Sequence, residues 1–169
     1  MRKTFVIAVA AAALVGATAL PASAAVTGDT VTTITMTGGS LSMTPAATAA
    51  LAANVGAPTA SGSLGTVSVS DTRGTPAGWT VSAISTVFTN AASVTVAGAV
   101  SYSAGALTGG SGAAFVPGGD KVITGVLGVG VATAPGSNSA SFAPTLTVTL
   151  PVSGVLAGAY TGTVTTSIA

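Results

Sequence analysis

Asp71-Thr-Arg-Gly-Thr-Pro-Ala-Gly-Trp-Thr-Val81 is the stretch of sequence that says most about the fold. It contains the only Trp of the chain, Trp79, and a polar segment rich in Gly and Pro. On both sides of that segment, in residues 62–70 and 79–88, β-branched or aromatic residues are interspersed with Ser and Thr. This pattern predicts two strands, and the polar segment between them predicts a turn, so we expect a β-hairpin here.

The second of these two strands shows a change of period. Its apolar positions shift from Trp79, Val81 and Ala83 to Ile84 and Phe88. Because successive side chains of a strand point to opposite faces, one extra residue is needed to bring both sets to the same face. The sequence therefore predicts a β-bulge near Ala83.

The composition is very poor in ionisable groups. Charged residues make up 4% of the chain, and neither His nor Cys is present. The absence of Cys excludes disulfides and thiol nucleophiles. Without His and Cys, the chain also lacks the commonest zinc ligands and the commonest general base. Asp29, Asp71 and Asp120 fall in three separate turns, where Asp commonly bonds to nearby backbone amides. No Asp-x-Asp spacing suggests a calcium loop. We expect a protein that is not an enzyme and that has no cofactor and no metal site.

The N-terminus has the organisation of a secretory signal peptide. A basic start, Met1-Arg2-Lys3, precedes an apolar run over residues 5–20, and Ala22-Ser23-Ala24 is a small-residue cleavage site. The pattern predicts a signal peptide over residues 1–24, a single secreted domain over residues 25–169, and no transmembrane anchor after cleavage. The alternative is that the apolar run stays attached as a membrane anchor.

Cleavage after Ala24 would leave two basic residues, Arg73 and Lys121, against three Asp, for a net charge of −1. Nucleic acid is then a poor partner, since phosphate contacts require clustered Lys and Arg. Lys121 follows Asp120 in a turn, and we interpret it as an exposed charge at a strand edge. The alternative for Lys121 is a crosslink to an Asn side chain.

The rest of the chain is predicted to be β-structure and loops. Alternation is clearest near the C-terminus, where two long strands are joined by a Pro/Gly connection. They resemble the closing hairpin of an Ig-like sandwich, in which a Tyr, here Tyr160, fixes the corner. We therefore predict an all-β, Ig-like antiparallel β-sandwich. Further strands are expected at residues 31–36, 94–96, 100–102, 121–131, 141–150 and 160–168, a loop or single helical turn at 46–53, and a poorly ordered Gly-rich loop at 105–119.

Two stretches resemble a known family. The residues Asp71 to Val81 quoted above look like the first motif of the WxL cell-wall-binding domains of Gram-positive bacteria. Tyr160-Thr-Gly-Thr-Val-Thr-Thr-Ser-Ile168 is similar to the closing segment of that family. The likeness extends over residues 31–169. The second Trp of the family falls at Thr166, and its following Leu falls at Ile168.

The resemblance implies a secreted β-sandwich, located at the cell wall or cell surface, that associates non-covalently with peptidoglycan, often beside other surface proteins. The candidate wall-binding residues are Asp71, Arg73, Trp79 and Val81. Asp71 and Arg73 would hydrogen-bond sugar hydroxyls beside an aromatic platform formed by Trp79. The alternative places the Trp79 ring in the core and makes Asp71 and Arg73 an exposed ion pair.

A second function is compatible with the same residues. The strands are rich in Thr and nearly uncharged, and charged residues that oppose pairing at strand edges are scarce. The alternative hypothesis is therefore a structural, pilin-like or fibre-forming surface subunit that self-associates through strand-edge pairing.

Overall fold

The computed structural model describes residues 28–96, 98–151 and 153–169, so the predicted signal peptide and the predicted domain start at Ala25 lie outside the described residues. The chain divides into two compact units, Met1–Thr35 and Met36–Ala169. Residues 28–40 form no strand, and the strand predicted at 31–36 is wrong. Alternation alone is insufficient, because a strand also needs a neighbour to accept its backbone hydrogen bonds.

The regular secondary structure of the second unit consists of strands. Among its described residues there is no helix, and therefore none that could cross a membrane. Its strands are β1 (Leu41–Thr44), β2 (Thr59–Ser63), β3 (Val67–Asp71), β4 (Trp79–Ser85), β5 (Phe88–Asn90), β6 (Thr95–Val96), β7 (Val100–Ser103), β8 (Leu107–Ser111), β9 (Ala114–Pro117), β10 (Lys121–Val122), β11 (Leu127–Thr133), β12 (Asn138–Phe142), β13 (Thr145–Thr149), β14 (Tyr160–Thr161) and β15 (Val164–Ile168).

These strands form antiparallel sheets around a shared core. The strand orders are β1-β3-β12-β8, β10-β7-β13-β2, β15-β4-β11-β9 and β14-β5-β6. Over the described residues the prediction of an all-β fold is confirmed, and the stacked antiparallel sheets are consistent with a β-sandwich.

The hairpin predicted around Asp71 to Val81 is not formed. Strand β3 pairs with β1 and β12, whereas β4 pairs with β11 and β15, so residues 72–78 carry the chain from one sheet to another. Both strands do exist, and both place their apolar residues inward. Alternation indicated the buried faces correctly but contained no information about the partner strands.

The bulge predicted near Ala83 is also wrong for β4. That strand pairs with β15 without interruption, from Val81 opposite Ile168 to Ser85 opposite Val164. The register shift lies on the other side of β4, within β11, between Gly128 and Gly130. Ile84 lies half-buried on the face of β4 opposite Trp79, Val81 and Ala83, and Phe88 begins β5 in another sheet. The two apolar sets therefore do not share one strand face.

The two long C-terminal strands are each divided. The predicted strand 141–150 becomes β12 and β13, separated by Ala143 and Pro144, because proline has no N–H to donate to a ladder. The predicted strand 160–168 becomes β14 and β15. No closing hairpin forms, since β13 pairs with β2 and β7 while β15 pairs with β4.

Two loop predictions have different outcomes. The Gly-rich region 105–119 contains strands β8 and β9, so its prediction as a poorly ordered loop is wrong. Residues 46–53 are a loop, as predicted, with one isolated bridge from Ala52 to Ser61. Lys121 is exposed on the outer strand β10, as predicted.

A stack of three aromatic rings joins two sheets across the core. Phe115 of β9 lies between Trp79 of β4 and Phe142 of β12, with ring centroids 5.6 Å from Trp79 and 5.1 Å from Phe142. Offset stacking at this separation stabilises aromatic pairs beyond their area burial. The smaller residues buried around the stack include Val67, Val69, Val81, Ala83, Val129, Ala132, Ala140 and Leu146.

Candidate functional site

The structure places three of the four candidate wall-binding residues in the interior. Asp71 ends β3 and is 1% exposed, and Trp79 and Val81 on β4 are 2% and 0% exposed. Only Arg73 reaches solvent, with 27% of its side chain exposed. The interpretation of Trp79 as a core residue agrees with this placement, and the expectation of an exposed Asp71–Arg73 pair is corrected.

Asp71 and Arg73 form a two-pronged ion pair at the end of β3. Arg73 Nε donates to Asp71 Oδ1 at 3.0 Å, and a terminal guanidinium nitrogen donates to Oδ2 at 2.9 Å. The backbone N–H of Arg73 also donates to Oδ1 at 3.0 Å, and the guanidinium donates to the carbonyl of Gly78 at 3.0 Å. These bonds connect the two ends of the 72–78 crossover, and paired charged bonds of this geometry are among the stronger ones in proteins.

The electrostatics of the pair keep Asp71 ionised. The hydrogen bond from the Arg73 side chain lowers the pKa of the Asp71 carboxyl from 3.8 to about 2, against the opposing effect of burial. The same bond raises the pKa of Arg73. A carboxylate with a lowered pKa and filled hydrogen-bonding positions is a poor proton carrier near neutral pH, so its chemistry here is structural.

Asn138, at the start of β12, connects this ion pair to Trp79. Its Nδ2 donates to Asp71 Oδ2 at 3.3 Å, and its Oδ1 accepts the indole N–H of Trp79 at 3.2 Å. Nδ2 also lies 3.2 Å from the carbonyl oxygens of Ala134 and Gly136. We call Asp71, Arg73, Trp79 and Asn138 the motif cluster. It binds the sheet containing β3 and β12 to the sheet containing β4.

Sequence reasoning missed Asn138 as a member of this cluster, because the residues Pro135 to Asn138 suggest a turn. A signal was present: Asn138, Ala140 and Phe142 are spaced two apart and share the inward face of β12. A polar residue on an inward face needs a buried partner. That requirement points to Asp71, which lies directly opposite Asn138 in the β12–β3 register.

Thr166, where the resemblance places a second Trp, lies on β15 opposite Ala83 and is half-buried. It lines a hollow of about 330 Å³ together with Phe88, Leu64 and Leu146. Nearby Tyr102 is completely buried, and its hydroxyl has no hydrogen-bond partner within the described part of the chain. Burial raises the pKa of Tyr102.

Tyr160 forms a local corner before the last strand. Its hydroxyl oxygen lies 3.2 Å from both the backbone N–H and the carbonyl of Leu156, so it can accept from one and donate to the other. A Tyr hydroxyl bonded to backbone a few residues upstream is the corner arrangement expected from the sequence. The half-buried ring of Tyr160 packs against the core.

Comparisons with protein-family profiles, with curated proteins and with solved structures find no match for this chain. Its function must therefore be deduced from the chain's own geometry. The motif cluster is a buried connection between sheets. Arg73 is its partly exposed member, and Thr72 and residues 74–77 of the adjoining loop are exposed. Over the described ranges, no three His, Cys, Asp or Glu side chains come together as potential metal ligands.

Proposed function

We propose that this chain is a secreted, non-enzymatic surface protein whose Ig-like β-sandwich, similar to a WxL domain, associates non-covalently with cell-wall peptidoglycan. The signal-peptide pattern, the near absence of ionisable groups and the resemblance at Asp71 to Val81 support this function. The observation that carries the proposal is a regular, uncharged array of hydroxyl groups on the outer face of one sheet.

That array, which we call the hydroxyl face, lies on β1, β3 and β12. Their inward positions are apolar or belong to the motif cluster, and their outward positions are all Ser or Thr. Neighbouring strands lie about 4.8 Å apart, and alternate residues of one strand about 7 Å apart. The strand registers align two rows, Ser42 with Ser70 and Ser139, and Thr44 with Ser68 and Ser141.

A repeating, uncharged hydroxyl surface suits a repeating polysaccharide, because each hydroxyl can both donate and accept a hydrogen bond. The motif cluster lies on the opposite side of the same strands, where Asp71 and Asn138 are neighbours of Ser70 and Ser139. We assign Asp71, Trp79 and Val81 a positioning role in holding this sheet against the next one. Arg73, with 27% of its side chain exposed, bonds to Asp71 within the cluster and shares this positioning role.

The test is co-sedimentation of the purified protein with purified peptidoglycan. The variant Ser68→Glu with Ser70→Glu places two charges on the hydroxyl face, and we expect at least about a tenfold loss of bound protein. The matched control, Thr145→Glu with Thr149→Glu, places the same charges at exposed positions of β13 in another sheet and should bind as wild type does. Failure of wild type to sediment, or equal loss in both variants, would contradict the proposal.

A second function, that of a structural subunit assembling through strand edges, is favoured by the outer strands of the sheets. Among the outer strands that the structure describes, only β10 carries a charged residue, Lys121. Unpaired backbone groups on an uncharged edge are a template for pairing with another chain. Sedimentation velocity over a concentration series tests this function, and a protein that stays monomeric throughout would contradict it.

A further inference from the structure

A large apolar cleft opens beside the outer strand β14. It has a volume of about 650 Å³, and its lining contains no charged side chain. Buried Val96 and Val148 contribute to it together with Phe88, and the loops at 49–55 and 155–159 also line it. An apolar cleft of this size that is open to solvent is typical of a binding site for an apolar ligand or chain segment.

The same chain contains an exposed segment that carries three large apolar side chains between threonines. Residues 30–37 carry no charge, and most of them are Thr, Val or Ile, which favour strands. Val31, Ile34 and Met36 are 93%, 79% and 89% exposed. In an extended conformation, Ile34 and Met36 point to one side, and Thr33 and Thr35 point to the other. Ile34 and Met36 thus form a small exposed apolar patch on one side of the segment, and such patches occur on surfaces that bind a partner.

We propose that residues 30–37 of one copy bind in the apolar cleft of a second copy, with Ile34 and Met36 inserted. This inference rests on the subunit function proposed above and names the segment and the site through which copies join. The cleft and the segment match in two ways: both are uncharged, and the apolar side chains that line the cleft suit Ile34 and Met36. The segment also has the β-forming composition that an outer strand can pair with.

The position of β14 supports an extended binding mode. Tyr160 and Thr161 of β14 line the cleft, and β14 is an outer strand that pairs with β5 on one side. An incoming extended segment can thus pair its backbone with β14 while its alternate side chains enter the cleft, as in β-strand addition generally. The cleft then gains apolar cover, and the segment gains the ladder partner that it lacks.

Sedimentation velocity of the full-length purified protein tests the proposal with two matched pairs of variants. Ile34→Asp with Met36→Asp should weaken self-association at least about tenfold, because two charges cannot enter an apolar cleft without a partner. Thr33→Asp with Thr35→Asp adds the same charge to the opposite side and should associate as wild type does. Ala159→Arg, at the rim of the cleft, should also weaken association, whereas Ala106→Arg, away from the cleft, should not.

Direct binding gives a second readout. A labelled peptide of residues 28–38 should bind to the Ile34→Asp, Met36→Asp protein, whose cleft is unoccupied, and should bind more weakly once Ala159→Arg is added. Circular dichroism checks that each variant is folded. Association that is unchanged in both cleft-directed variants would overturn this inference while leaving the subunit function intact.

Two further results would contradict binding of residues 30–37 to a second copy. A wild-type protein that stays monomeric and a peptide that does not bind would overturn both the inference and the subunit function. A monomer whose residues 30–36 are protected from hydrogen exchange would show that the chain covers its own segment, which excludes the second copy. Peptidoglycan binding is measured in parallel, and it should not differ between the two Asp double variants.

Discussion

The indole N–H of Trp79 donates a hydrogen bond of 3.2 Å to Oδ1 of Asn138, 59 residues further along the chain. Trp79 begins β4 and Asn138 begins β12, so this bond crosses between two sheets. Asn138 bonds in turn to Asp71, which bonds to Arg73. From the sequence, the stretch Asp71 to Val81 suggests an exposed platform for binding sugars. In the fold, its polar side chains form a buried connection between two sheets.

Trp79→Phe tests the contribution of this bond. The Phe ring keeps much of the stacking with Phe115 but leaves Oδ1 of Asn138 buried without its donor, which should cost about 1 to 3 kcal/mol in the free energy of unfolding. Urea unfolding followed by circular dichroism measures the change. Asn138→Ala should cost at least as much, and the double variant should cost less than the sum of the two. Additive losses would show that the two residues are not coupled.

Unlike Trp79→Phe, the substitution Tyr102→Phe is not expected to lower the free energy of unfolding. The Tyr102 hydroxyl is buried without a hydrogen-bond partner among the described residues, so its removal relieves a desolvation cost. We expect the free energy of unfolding to be unchanged or higher by up to about 1 kcal/mol. Urea unfolding under the same conditions provides the comparison, and a loss of more than about 1 kcal/mol would indicate a hydrogen bond that the structure does not show.

Acid should weaken the protein in a defined pH range. Because the pKa of Asp71 is lowered to about 2 in the folded state from 3.8, its contribution to stability is complete above about pH 4. That contribution decreases as pH falls through the folded value near 2, by about 1 to 2 kcal/mol once the partial exposure of Arg73 is considered. Urea unfolding at pH 7, 4, 3 and 2 measures it.

Asp71→Asn is the control for this pH effect. The variant should be less stable than wild type at pH 7, because the amide cannot replace the ion pair with Arg73. The difference between the two proteins should shrink from pH 4 to pH 2. A difference that stays constant over this range would show that the ionisation of Asp71 is not the cause.

Gly130→Ala should disturb the aromatic stack. A Cβ at Gly130 would overlap the ring of Phe115, which lies between Trp79 and Phe142, so the ring must move. We expect a loss of about 1 to 3 kcal/mol and a reduced near-ultraviolet circular dichroism signal. Gly128→Ala is the matched control on the same strand, because nothing lies within 4 Å of a Cβ there. Equal effects of the two substitutions would contradict the close packing at Gly130.

The faces of many strands could be predicted from the sequence, but their partners could not. The structure buries Val67 and Val69 of β3 and Trp79 and Val81 of β4. Alternation grouped each pair on one face of its strand, while the sequence left open whether the Trp79 ring lies in the core. Alternation did not indicate that these strands belong to different sheets, because the side-chain period of a strand is the same whichever strand pairs with it. Pro144, inside a predicted strand, was the local signal that β12 and β13 separate.

The candidate site was predicted in part. Asp71, Arg73 and Trp79 were selected from one short stretch, and the structure does bring them together. The burial of Asp71 and the role of Asn138 were not foreseen, since Asn138 comes from a distant segment that suggests a turn. The peptidoglycan ligand and the self-association segment stay predictions for the experiments above.

By itself, the sequence indicated the all-β fold of the described residues, the absence of His and Cys, and which side of the principal strands is apolar. Composition and period set those properties because they act residue by residue. Only the tertiary structure decided that β3 joins β12 rather than β4, and that the Asp71 to Val81 motif lies inside. Those outcomes depend on which distant edges meet and on where Asp71, Asn138 and Trp79 can satisfy one another's hydrogen bonds away from water.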